Sequence, residues 1–179
     1  MNNHIQDNYD SLSDKRCLTS YFHLSCRGLS SDWEKFHDLL CQIHSNDFSF
    51  DYIEISEVFL CVRDQRLHIP GYHDIITRCR DETDDCRGGV ALFVKETFKV
   101  RNDLSVFIPH VYESLFMEIF PKVGKHTIIA IMYRPNTAPW ADIDIFTSTL
   151  FGVMDKLNHE YKKGDVNIMG GCKHRHVTI

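Results

Sequence analysis

The chain has 179 residues, 43% of them hydrophobic, with no repeat and no Gly/Ser linker, which suits one domain with a sizeable core and excludes a fibrous or multidomain build. A net charge of −5 weighs against a broadly basic nucleic-acid clamp, although a local patch or a bound metal suffices for a substrate held only transiently. No apolar run approaches the roughly 20 residues that cross a bilayer. The polar start MNNHIQDNYDSLSDKR has no apolar signal core, and the seven cysteines lack C-x-x-C pairing, so reduced thiols in an intracellular protein are expected.

Residues 1–17 read as a polar lead-in and residues 18–170 as the folded domain. Tyr21, Phe22 and Leu24 alternate with polar positions and predict a strand over 18–26. Ser30, Ser31 and Asp32 offer N-cap chemistry, and Glu34 follows Ser31 by three residues as in a capping box. A helix is therefore expected over 32–43, with Trp33, Phe36, Leu40 and Ile43 on one face. In residues 52–61, Ile53 and Ile55 alternate with Tyr52, Glu54 and Ser56, the period of a strand. Further strands are predicted at 74–80, 89–94, 98–100, 114–120 and 127–133, with 81–87 a charged hairpin tip. A second helix fits 142–161 through the stripe Phe146, Leu150, Val153, Met154 and Leu157. Residues 171–179 form a divergent tail, where Cys172, His174 and His176 are too few at a chain end to argue for a metal site. Strand, helix, strands, helix, strand is the order of a layered α/β sandwich.

Four segments carry the chemistry: IEISEVFL at 53–60, Gly71-Tyr72, the Gly88–Ala91 stretch GGVA, and Tyr133-Arg134-Pro135. In this order they resemble the endonuclease/exonuclease/phosphatase superfamily, most closely the endonuclease domain of non-LTR (LINE-type) retrotransposons, whose metal-binding segment reads I-x-I-S-E-T-W-L. The resemblance implies a four-layer α/β sandwich of the DNase-I-like kind, with two packed, mainly antiparallel sheets and outer helices, here lacking its C-terminal strands. It implies Mg2+-dependent hydrolysis of DNA phosphodiesters, with Mn2+ as an alternative ion. Phosphodiester hydrolysis needs a hard cation to offset charge on the phosphate, and one or two carboxylates with retained waters hold Mg2+. On the resemblance, Glu57 is the metal ligand, Tyr133 positions a phosphate oxygen and Arg134 contacts phosphate. A lone strand-end glutamate is otherwise most often a solvated surface group. Glu54 shares its side of the strand with Ser56 and faces away from Glu57, so it is not counted as a ligand. The implied partners are the target-strand DNA backbone and a reverse transcriptase in a longer polyprotein, with no membrane. The implied location is the nucleus for a working retroelement endonuclease and the cytoplasm otherwise.

The chain departs from the family pattern in three places. The family's N-x-x-G-L stands here as Ser25-Cys26-Arg27-Gly28-Leu29, so Ser25 takes the asparagine's place. A hydroxyl lacks the amide's separate donor and acceptor, which weakens orientation. The family's catalytic G-D-x-N admits two registers. Gly164-Asp165-Val166-Asn167 is the motif as it stands, making Asp165 and Asn167 catalytic; alternatively DVNIMG, residues 165–170, is the strand before it and Gly171-Cys172-Lys173 fills the motif position. The second register leaves room for a strand after the helix, and the first does not. No Ser-Asp-His triplet follows in either. The expectation is a retroelement-derived endonuclease-like domain that is inactive or weak in this form. A non-catalytic binding module or a phosphatase of the same superfamily are the alternatives.

Overall fold

Two helical crossovers decide the architecture. In a computed structural model, β1 (Tyr21–Ser25) is carried by α1 (Trp33–His44) to β2 (Tyr52–Ser56). Likewise β8 (Thr127–Tyr133) is carried by α2 (Ile143–Glu160) to β9 (Asp165–Gly171). A helix returns the chain to the end where it began, so both pairs are parallel. Between them lie β3 (Ile76–Arg78), β4 (Val90–Val94), β5 (Lys99–Asp103), β6 (Phe107–Ile108) and β7 (Tyr112–Phe120), which pair antiparallel. One sheet runs β1-β2-β4-β3; the other runs β5-β7-β8-β9 with β6 beside β7. The structure describes residues 19–60, 67–78, 88–103, 107–108, 112–122, 126–134, 143–160 and 165–171.

Three apolar clusters separate four layers. Phe36 and Leu40 of α1 meet Ile53, Ile55, Ala91 and Phe93 on the outer face of the first sheet. Tyr52, Val90, Leu92 and Val94 on its inner face meet Leu115, Met117, Ile129, Ile131 and Tyr133 of the second. Phe116, Ile128 and Ala130 then meet Leu157 of α2. This is a layered α/β sandwich. Among the described residues no helix is long and apolar enough to cross a membrane.

The predicted elements return with three corrections. Alternation in β2 suggests one wet face, yet all five residues are buried because the strand lies between two cores. That strand ends at Ser56 rather than running to 61, because Glu57 and Phe59 turn into the left-handed region at φ 58 and φ 48. The capping box does not form: Asp32 is the N-cap without a side-chain cap bond, and the Ser31 hydroxyl donates to the Gly28 carbonyl at 2.8 Å. The two-residue β6 is absent from the sequence reading, and the charged segment 81–87 and the Cys172–His176 alternation lie outside the described residues.

Candidate active site

The site begins with a backbone that leaves β2 and coils left-handed. Glu57 holds φ 58, a conformation that costs a residue with a Cβ about 1–2 kcal/mol. Tertiary hydrogen bonds impose it. On one side Gly28 N donates to the Glu57 carbonyl (3.1 Å) and Leu29 N to that of Val58 (2.7 Å). On the other, Val58 N donates to Gly89 O (3.3 Å) and Phe59 N to Gly88 O (2.9 Å). Gly88 and Gly89 both have positive φ, 90° and 83°, which glycine adopts without steric cost.

The kink turns the Glu57 carboxylate toward the second sheet, where only 2% of the residue remains exposed. The Tyr133 hydroxyl, at the end of β8, donates to its Oε1 at 3.1 Å across 76 residues of sequence. Arg27 approaches from the first loop, its Nε 3.9 Å from Glu57 Oε2, with the Arg27 side chain 73% exposed. Ser25 closes β1 in register with Ser56, whose buried hydroxyl oxygen has no hydrogen-bond partner among the described residues. Glu113, fully buried on β7 and paired in register with Tyr133, accepts from Gly89 N at 2.5 Å. Burial pushes the thiol of nearby Cys26 up to about 11, which disfavours its thiolate.

The structure therefore brings Glu57 and Tyr133 together, with Ser25 at the neighbouring strand end and Arg134 following Tyr133 in the chain. It separates Asp165 and Asn167 from them. Asp165 pairs with Thr127 and Gly171 with Tyr133 in the parallel register. At about 3.3 Å per residue, Asp165 stands roughly 20 Å and Asn167 roughly 13 Å along the strand from the Tyr133 row. The register that makes Asp165 and Asn167 the catalytic pair has no place for them beside Glu57; DVNIMG is part of strand β9. Sequence reasoning missed Arg27 and Glu113. Glu113 shares the core-facing parity of Leu115, Met117 and Ile119, and a charge at such a position was the available signal.

Glu54, 1% exposed on the inner side of β2, shares that side with the Glu57 carboxylate instead of facing away from it, because the left-handed kink at Glu57 breaks the alternation; its Oε2 lies 3.6 Å from His23 Nδ1. Burial raises its carboxyl above the usual range, and His23 opposes the rise. A carboxyl raised in the folded state favours folding while protonated, so that contribution fades as pH climbs through the folded value. Glu54→Gln, which cannot ionise, is expected to gain thermal stability over the native chain as pH rises from about 4 to about 8. Melting curves across that range check it, and a pH-independent difference would contradict it.

The Glu57 carboxylate and the Tyr133 hydroxyl beside it offer oxygens, which suit Mg2+ or Mn2+. Among the described residues no group of three or more His, Cys, Asp or Glu could hold a metal, so such an ion would rest on Glu57 with waters.

No protein-family model and no curated protein sequence matches the chain. Solved structures do. D. rerio TDP2 carrying 14 humanizing mutations aligns at TM-score 0.61 and 14% identity over 88% of this chain and 63% of that one. An endonuclease/exonuclease/phosphatase from Bacteroides vulgatus aligns at 0.60 and 15%, over 84% and 63%. The mannosyl-6-phosphatase Bt3783 of Bacteroides thetaiotaomicron aligns at 0.58 and 16%, over 85% and 63%. The chain spans 63% of the length of each. What it shares with them is the DNase-I-like fold of the endonuclease/exonuclease/phosphatase superfamily.

Proposed function

We propose that the chain is a phosphoester-hydrolase domain of retroelement origin that acts, weakly in this form, on the DNA backbone. The observation that carries this is the buried hydrogen bond from Tyr133 to Glu57, which joins two separately matched motifs at one sandwich edge. Glu57 would hold Mg2+ or Mn2+, which supplies neutralisation of charge on the phosphate. The Tyr133 hydroxyl orients a phosphate oxygen, and the exposed Arg27 guanidinium adds a cation that can fork onto the remaining oxygens. Arg134 extends the same edge. Weakness follows from Ser25 in place of an asparagine and from the distance of Asp165 and Asn167. General acid–base help is typically worth about 10²–10⁴ in rate, and groups that act as a unit fail together.

A phosphatase reading draws support from the mannosyl-6-phosphatase among the structural neighbours. One experiment separates the readings. With Mg2+ or Mn2+, the purified chain is expected to nick supercoiled plasmid slowly and to lose that activity in Glu57→Ala. Phosphate release from a monoester without nicking would favour the phosphatase. No turnover of either substrate, with plasmid still retained, would favour a non-catalytic binding module.

A further inference from the structure

We propose that Glu113 is a positioning residue for Glu57, acting through the Gly88-Gly89 turn; this rests on the reading of Glu57 as the metal carboxylate. Glu113 belongs to the second sheet and Gly89 borders β4 in the first, so their 2.5 Å bond ties the sheets together at the site's edge. Tyr133, the register neighbour of Glu113, makes the second tie by donating to Glu57. Two adjacent strands thus send two side chains across the same gap. One reaches Glu57 directly, and the other reaches the turn that clamps it.

The clamp is continuous. Glu113 fixes the Gly89 N–H; Gly89 O receives Val58 N, and Gly88 O receives Phe59 N. Those are the two residues after Glu57, and Phe59 shares its left-handed conformation. A Gly-Gly pair has more conformational freedom than any other dipeptide, so without an anchor the turn would not hold its carbonyls in place. Full burial of Glu113 keeps water from competing for the bond, so a side-chain oxygen at that reach is enough to hold the Gly89 N–H. What is required at position 113 is reach and an acceptor oxygen. Charge alone does not meet it.

Two substitutions separate reach from charge in the 179-residue chain. Glu113→Gln keeps an acceptor oxygen at the same reach; Glu113→Asp keeps the charge and is one methylene too short. Mn2+ binding followed by its paramagnetic signal is expected to weaken about 10–100-fold in Glu113→Asp, the usual effect of losing an outer support of a metal ligand, and to change little in Glu113→Gln. Amide hydrogen exchange at Val58, Phe59 and Gly89 should accelerate in Glu113→Asp and stay protected in Glu113→Gln. Leu115→Ala, a buried change on the same strand, should lower overall stability without singling out those amides. The reverse order, with the glutamine variant damaged and the aspartate variant intact, would overturn the proposal. So would exchange at these amides in Glu113→Asp that is no faster than in Leu115→Ala. If Glu57→Gln leaves Mn2+ binding unchanged, the metal reading of Glu57 falls, and the amide exchange still decides whether Glu113 holds the clamp.

Discussion

Truncating Phe93 to alanine is expected to destabilise the domain by about 3–5 kcal/mol. Phe93 is wholly buried at the middle of the first sheet, paired in register with Ile53 and with its ring 6.1 Å from that of Trp33 on α1. Strands on both sides and a helix above hold the lining of the resulting cavity apart, so collapse into it is limited. Set against a typical domain stability of about 5–15 kcal/mol, the loss is roughly a fifth or more of the whole. Urea unfolding should show a lower midpoint with an unchanged slope. Leu39→Ala on the 42% exposed side of α1 is the control, with a change within about 0.5 kcal/mol. Equal effects would mean that α1 does not cover this sheet.

What the sequence disclosed follows from where each structural cause resides. β8 spans the predicted 127–133 because its apolar run is bounded by His126 and Arg134, a signal wholly local. The α1 face was readable for the same reason: Phe36 and Leu40 recur at helical spacing and are its buried residues. The end of β2 was not. Nothing in V-F-L after Glu57 forbids a continuing strand; the left-handed turn comes from partners near 28–29 and 88–89, about 30 residues away on either side. Ser31 fails as a cap for a local reason: its hydroxyl donates to the Gly28 carbonyl three residues back. The meeting of Glu57 and Tyr133 was anticipated through matched motifs, not through any propensity. Glu113 escaped because its task depends on the register of β7 on β8 and on reach between sheets. The strand predicted from 114 also begins one residue after it.

Replacing Glu57 by either glycine or alanine is expected to abolish metal binding, a loss of at least about 100-fold given that even supporting residues cost about 10–100-fold. The two variants should nonetheless differ in stability, with Glu57→Gly the more stable by roughly 1 kcal/mol. Both remove the same buried carboxylate and leave the Tyr133 hydroxyl without that acceptor, so these effects cancel in the comparison. Alanine keeps a Cβ at φ 58, a strain of about 1–2 kcal/mol that glycine relieves. Glycine in turn gives the unfolded chain more freedom, worth about 0.4–1 kcal/mol, so the net gain is modest and its sign is the test. At an ordinary strand position that sign reverses, because glycine there is the weaker residue. Chemical denaturation of the two variants side by side, with Mn2+ titration of each, measures both effects. Alanine more stable than glycine would show that the turn after β2 is not held left-handed, and with it would go the geometry that presents Glu57 to Tyr133. The expected order instead shows that the surroundings of Glu57 hold its backbone left-handed against the strain of a Cβ.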